Sequence, residues 1–345
     1  LFNGANEMKP VGFILDAEKI SDLVMLARGA EDAGFHSVWA TELYRTSFQQ
    51  LSQVAAATRK IKLGTAVALA FVRSPFITSI TALDLDEISN GRLILGLGTG
   101  AKRTNEMWHG VAHGKPVTRV KECIAVISLL TSTVSTGEPV KFEGEYYNIN
   151  TRGYHRPFKP VRDNIPIYLA GVGRNMSRAS GEAADGYLGH VVCSERYLKD
   201  VVSGAVKEGL KASGRDRKDF TVASIITCAV SEDKKRAMEA ARATIAFYAT
   251  VRTYEPPFRL HGFEKETQAV RDAFLKGDVK TMIQSVTDDM VNTFAIVGNA
   301  DEVRKRIELY REYLDLPILS APHYFLDFEE VREYQTALFE VFGSH

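Results

Sequence analysis

The amino-acid sequence predicts a closed (β/α)8 TIM barrel, and three observations lead there. Short apolar runs alternate with helical segments along nearly the whole chain, which implies parallel strands joined by right-handed crossovers. Eight such strand–helix units fit within 345 residues. The strands are continuous apolar stretches closed by glycine, the pattern of strands buried on both faces. Gly91-Arg92-Leu93-Ile94-Leu95-Gly96-Leu97-Gly98-Thr99-Gly100 shows this best. Its last three glycines remove side chains where the strand ends, so that a flat ligand or a phosphate could touch the backbone. A tight strand-to-helix turn is the plain alternative. The glycine spacing is not the dinucleotide fingerprint. An open doubly wound sheet is the competing architecture.

The elements follow in order. Residues 11–15 form the first strand and 20–33 a helix, with Ile20, Leu23, Val24, Leu26, Ala27 and Ala30 on one face and Gly34 ending it. Strands at 37–41 and 62–67 flank a helix at 47–57. Pro75 opens the next helix, to Ser89, at a permitted position. The glycine-rich stretch is the fourth strand, followed by a helix at 117–132 and a small hairpin at 140–147. Strands at 165–170, 186–191 and 220–230 alternate with helices at 175–184 and 195–213. Residues 232–292 read as a helical insertion without a strand, broken by Pro256-Pro257. A helix at 299–313, a strand at 316–320 and a helix at 328–342 close the chain. No linker-like or low-complexity segment divides it, so residues 1–345 read as one domain.

Composition narrows the function. Formal net charge is +0, which gives no single-sign field for nucleic acid or an acidic membrane. Cys123, Cys193 and Cys228 form neither a metal-ligand spacing nor a disulfide framework, which suits a reducing cytoplasm. Residues 1–10 show no leader pattern, and no apolar run has membrane-spanning length.

In such a barrel the chemistry belongs at the carboxyl ends of the strands. That selects Asp16, Glu42, Tyr44, Arg45, Ala66, Val67, Thr99, Gly100, His190 and the loop Gly171-Val172-Gly173-Arg174-Asn175. The loop enters a helix directly, so its amides and the helix dipole suit a phosphate, with Arg174 as an added donor. A glycine-capped turn reads the same way. Glu42 is either a reactive carboxylate or a structural partner of Arg45 or a backbone amide. His190 is either a donor to a ring or substrate or a satisfied buried histidine. Scattered histidines offer no metal site, and no nucleophile elbow is present.

These residues together resemble the bacterial luciferase-like monooxygenase superfamily, and within it the coenzyme F420-dependent oxidoreductases. The matching pieces are residues 34–42, 63–67, 91–100, 165–173 and 181–186, in the family's order. The resemblance implies a (β/α)8 barrel that binds a deazaflavin or flavin at its open end. It implies a non-prolyl cis peptide at Ala66-Val67 forming a bulge behind the ring. The cofactor phosphate falls to Gly171, Val172, Gly173, Arg174 and Asn175, and the cofactor's tail or ring edge to Thr99 and Gly100. Glu42 falls beside the ring. The expected activity is F420-dependent hydride transfer to or from a small organic substrate, in a homodimer. Glu42 and His190 are the expected catalytic residues. Asn105, Glu106, Trp108 and His109 would shape the pocket, and a segment at 248–277, with Tyr254, Phe258 and Phe263, would act as lid. An FMN-dependent monooxygenase, a non-catalytic flavin-binding barrel and a metal-dependent hydrolase are the alternatives. Leu43 and Ala101 stand where related sugar-phosphate dehydrogenases carry a histidine and a glutamate, which argues for another substrate.

Overall fold

The computed structural model describes residues 9–343. The leader reading of residues 1–10 therefore falls almost wholly outside the described residues. Eight parallel strands close on themselves: β1 (Gly12–Leu15), β2 (Ser37–Ala40), β3 (Lys62–Thr65), β4 (Leu93–Gly98), β5 (Ile167–Ala170), β6 (Gly186–Gly189), β7 (Thr221–Val230) and β8 (Leu316–Ser320). Each pairs with its neighbour in number, and β1 completes the ring by pairing with β8 through Gly12 opposite Ile318 and Phe13 opposite Leu319. Pro317 is tolerated within β8 although that strand is paired on both sides.

Strand periodicity sorts the side chains into two cores. Phe13, Val38, Leu63, Leu95, Leu97, Leu169 and Leu319 belong to the core shared with the outer helices. Ile14, Trp39, Ile94, Tyr168, Leu188 and Ile318 belong to a second core, the barrel interior, where Trp39 and Tyr168 rings lie 6.0 Å apart. These large rings leave no room beside them. A Cβ on Gly64 would lie 2.1 Å from the Trp39 ring, and one on Gly186 would lie 2.6 Å from the Tyr168 ring. The Trp39 indole N–H is satisfied by Ser37 Oγ at 2.9 Å.

The amino-terminal end of the barrel is tied by charge. Arg92 donates to the carbonyls of Ala55, Thr58 and Ile61, closing the end of the helix Ser47–Ala57. Buried Asp86 accepts from Leu93 N–H and holds Arg162. These contacts lie opposite the chemical face, where barrels concentrate stability.

Three local features differ from the sequence reading. Residues Ala295–Gly298 form an extra parallel strand on Thr227–Val230, the part of β7 that overhangs the barrel. A short helix, Lys102–Trp108, follows β4. The hairpin is present, but its strands are Lys141–Glu143 and Asn148–Asn150, shifted toward the carboxyl end. The insertion is helical, with helices Lys234–Ala249, Glu255–Leu260, Glu264–Leu275, Val279–Gln284 and Asp288–Phe294. Among the described residues no helix is long and apolar enough to cross a membrane.

Gly204 has helical angles and nothing within 4 Å of a built Cβ, whereas a Cβ on Gly96 would lie 1.9 Å from the Thr65 carbonyl oxygen. Gly204→Ala is expected to stabilise by about 0.5 kcal/mol, and Gly96→Ala to destabilise by about 3 kcal/mol or more. Urea denaturation of the two variants checks the contrast.

Candidate active site

The peptide bond Ala66–Val67, directly after β3, is cis and non-prolyl. The chain then pairs with β4 again, Ala68 opposite Leu97 and Leu69 opposite Gly98. The bulge so formed rests on the glycines of β4. The Thr65 carbonyl fills the place of a Gly96 side chain, and Val67 Cγ2 would stand 2.5 Å from a Gly98 Cβ. Thr65 Oγ1 also donates to Gly96 O at 2.6 Å. Gly96 and Gly98 therefore make room for the chain's own bulge. Of the sequence's two readings of these glycines, room for a ligand and a tight turn, neither names the bulge that fills the space.

Glu42, at the end of β2, holds the same bulge from the other side. Its carboxylate accepts the Leu69 N–H at 3.1 Å and is paired with the Arg73 guanidinium. The side chain is nearly buried, at 8% exposure, and Ser47 Oγ approaches at 3.4 Å. Arg45 is not its partner, as that side chain donates to Ala17 O and Glu18 O. Glu42 is thus an acceptor fixed by three donors, an arrangement that positions backbone.

At the end of β4, Thr99 and Gly100 are half-buried, with Gly100 at φ +67°. Asn105 donates from Nδ2 to Thr99 O at 2.7 Å and lies 3.0 Å from His113 Nδ1. Asn105 is fully buried, and its Oδ1 meets no partner among the described residues. Of the group expected to shape the pocket, Asn105 is inside, whereas Trp108 is 67% exposed and is not core.

The β5 loop leads into the helix Arg174–Ala183, whose N-cap is Gly173 at φ +93° with no side-chain cap. Such an end presents free amides to an anion. The loop is braced from behind: Tyr187 donates to Gly171 O, and Gly173 N–H donates to Tyr197 Oη, both at 2.8 Å. Val172 packs on the outer core. Arg174 pairs with Glu208, so the donors of this loop are backbone amides, from Arg174, Asn175 and beyond.

His190, after β6, stacks on Tyr254 with ring centroids 3.9 Å apart and meets Tyr248 edge-on at 4.6 Å. Its Nδ1 is enclosed without a partner among the described residues. Burial pushes its pKa down to about 3, so the ring is neutral and a hydrogen-bonding group, not a charged acid. Tyr254 is the expected lid residue that reaches the mouth. Phe258 and Phe263 pack against Phe294 inside the insertion.

Sequence reasoning missed Arg73, 31 residues from Glu42, and the pair Asp16–His323. Asp16 was noted by position alone. A cleft of about 330 Å³ also opens beside Ser194, His261 and Arg306, but its lining is already paired, Ser194 with His261 and Arg306 with Glu195, each at 2.7 Å. Among the described residues no group of three histidine, cysteine or acidic side chains could hold a metal.

The model of the luciferase-like monooxygenase family matches residues 4–315. The chain belongs to the luciferase-like monooxygenase family. It is 34% identical over 300 residues to the 5,10-methylenetetrahydromethanopterin reductase of Archaeoglobus fulgidus, covering 84% of this chain and 86% of that protein. The structure of the coenzyme F420-dependent tetrahydromethanopterin reductase from Methanopyrus kandleri superposes with a TM-score of 0.80 at 26% identity, covering 96% of this chain and 99% of that one. An F420-dependent secondary alcohol dehydrogenase shares the fold, with a TM-score of 0.75 at 20% identity over 96% of this chain and 98% of that one. In this luciferase-like protein the bulge, the uncapped helix and two of the buried polar atoms without a partner among the described residues, Asn105 Oδ1 and His190 Nδ1, all follow the carboxyl ends of strands β3 to β6.

Two expected outcomes follow from the charges. Arg73→Met leaves the Glu42 carboxylate unpaired, and urea denaturation should show a loss of about 2 kcal/mol, larger than for Glu42→Gln, which keeps an acceptor for Leu69. A histidine whose folded pKa is depressed stabilises above its unfolded value near 6.5, and that contribution is lost as pH falls toward about 3. His190→Phe should therefore flatten the fall in stability below pH ~6.5 by up to about 1.4 kcal/mol per pH unit. His36, held down to about 4 by burial, keeps its own share of the slope.

Proposed function

We propose that this protein is an F420-dependent oxidoreductase that moves a hydride between the deazaflavin and a small organic substrate. The observation that carries the reading is the end-to-end match to the F420-dependent reductase, together with a mouth whose residues fit such a cofactor. The deazaflavin would supply a ring carbon that gives or accepts a hydride. The protein's part is to bind and orient.

Ala66 and Val67 form the back wall for the ring, and Glu42 fixes that wall through Leu69. Gly171, Val172 and Gly173 shape the loop that receives the phosphate, and the amides of Arg174 and Asn175 face it at the positive end of the helix dipole. Thr99 and Gly100 line the cofactor's edge, and Asn105 Oδ1, without a donor among the described residues, accepts from the ligand. His190 presents a neutral imidazole to the ring or substrate. The substrate panel suggested by the related proteins is 5,10-methylenetetrahydromethanopterin and secondary alcohols. We place the whole chain, residues 1–345 with its helical insertion, in one domain of a cytoplasmic homodimer. Three free cysteines, all buried, suit that compartment.

Fluorescence titration tests the cofactor. F420 should bind in the micromolar range or tighter, without competition from equimolar FMN. Asn175→Asp, which sets a carboxylate in the exposed first turn of that helix, should weaken F420 at least tenfold without loss of Tm. Submicromolar FMN binding without F420 binding would replace this reading by the FMN-dependent monooxygenase.

A further inference from the structure

The two acid–base candidates of the sequence are each held by their neighbours, Glu42 by the Leu69 amide and Arg73, His190 by an aromatic stack. A histidine and a carboxylate do meet at the mouth, on the other side of the barrel. β8 ends at Ser320 and β1 at Leu15, and these strands are neighbours. His323 Nδ1 lies 3.9 Å from Asp16 Oδ2 and 3.1 Å from Ala321 O. Both neighbours are acceptors, so the neutral ring keeps its proton on Nδ1 and its lone pair on Nε2. The imidazole is 18% exposed, enclosed enough to be held and open enough to be reached.

The pair is also braced. Gln335 donates to Asp16 O at 2.7 Å, and Arg45 clamps the next carbonyl, Ala17 O, at 2.9 Å. His323 N–H approaches Thr244 Oγ1 at 3.4 Å. The bulge occupies the β3 side of the mouth and the phosphate loop the β5 side. A substrate lying over the free face of a ring on that wall must come from the side of β7, β8 and β1, where His323 stands.

We propose that His323, oriented by Asp16, is the residue that exchanges a proton with the substrate. This rests on the oxidoreductase reading given above. For an alcohol, the carbon is oxidised as its hydride passes to an oxidised deazaflavin, which is thereby reduced. The hydroxyl proton moves to His323 Nε2 as the C=O double bond forms, and the resulting imidazolium is balanced by the Asp16 carboxylate. In the reverse direction the imidazolium returns that proton to the substrate heteroatom as hydride reaches carbon. Tyr324 packs beside the imidazole, and Tyr248, from the helix Lys234–Ala249, and Tyr44, from the β2 loop, lie near Tyr324. Burial raises the pKa of both Tyr248 and Tyr324, so near neutral pH they add no charge there.

The test uses the full-length protein and three variants, His323→Gln, His323→Asn and Asp16→Asn. Heteronuclear NMR of the imidazoles should place the neutral proton on Nδ1 of His323, and Asp16→Asn should shift the His323 ring resonances while leaving those of the other histidines in place. F420 affinity should stay within about twofold in both His323 variants. With the panel substrate that the wild type turns over, kcat should fall about 100-fold, with KM little changed and the histidine limb of the pH profile gone. An Nε2–H tautomer, unmoved His323 ring resonances in Asp16→Asn, or kcat within about threefold of wild type in both His323 variants would overturn the assignment. A wild type that does not bind F420 sinks the functional reading instead, and the NMR arm still decides the Asp16–His323 pair.

Discussion

The contact between the Thr65 carbonyl and the bare edge of Gly96 sets the shape of the mouth. A parallel barrel strand must either continue its ladder or leave it. Here β3 leaves, turns through Ala66–Val67 and returns to β4 two residues later. That detour is possible because Gly96 and Gly98 offer backbone where other residues would offer side chains. Any Cβ at Gly96 would push the carbonyl off the strand and move the wall with it. The same glycines cannot also serve as an open floor for a ligand.

The wall is fixed from the β2 side by a charge. Glu42 accepts the Leu69 amide and is paired with Arg73, so the bulge is fastened at both ends to neighbouring strands. Preorganisation of this kind places the bulge before any ligand arrives. It also divides the labour of the mouth. Groups on β2 to β5 hold shape through backbone contacts, whereas Asp16 and His323 meet at the ends of β1 and β8. Burial separates the two histidines of the mouth in the same way. His190, enclosed by tyrosines, stays neutral, while His323 keeps a carboxylate within 3.9 Å.

The barrel was legible in the sequence because each strand is a local signal: a short apolar run with a glycine at its end and a helical face after it. The site was legible only as a list of strand ends. Glu42 could be placed there, but its partner could not, because Arg73 comes from the loop after the bulge and local spacing favoured Arg45. Arg174 looked like a phosphate donor, and only the fold brings Glu208 beside it. Phe258 and Phe263 carried the right residue type for a lid, yet Phe294, some thirty residues on, draws them inside. The strand Ala295–Gly298 escaped notice since four residues between two helices carry no period of their own. The bulge position came from the family resemblance. Nothing in Ala66-Val67 as a dipeptide announces it.

The insertion bears on the mouth in a way that a hanging lid would not. Its first helix, Lys234–Ala249, buries a face of small residues, Ala237, Ala240, Ala241, Ala246 and Ala249, which lets it approach closely. Its last helix leads into the strand Ala295–Gly298, which is hydrogen-bonded to β7. Both ends of the insertion are therefore anchored to the barrel, one by packing and one by backbone. Tyr248, at the end of the first anchor, and Tyr254, just beyond it, close around His190. The turn Arg252–Tyr254 lies between the two anchors, so a movement of that turn would leave both in place. A hinge of the whole helical block would have to break a strand pairing and an apolar interface together, and neither cost is required to admit a small substrate.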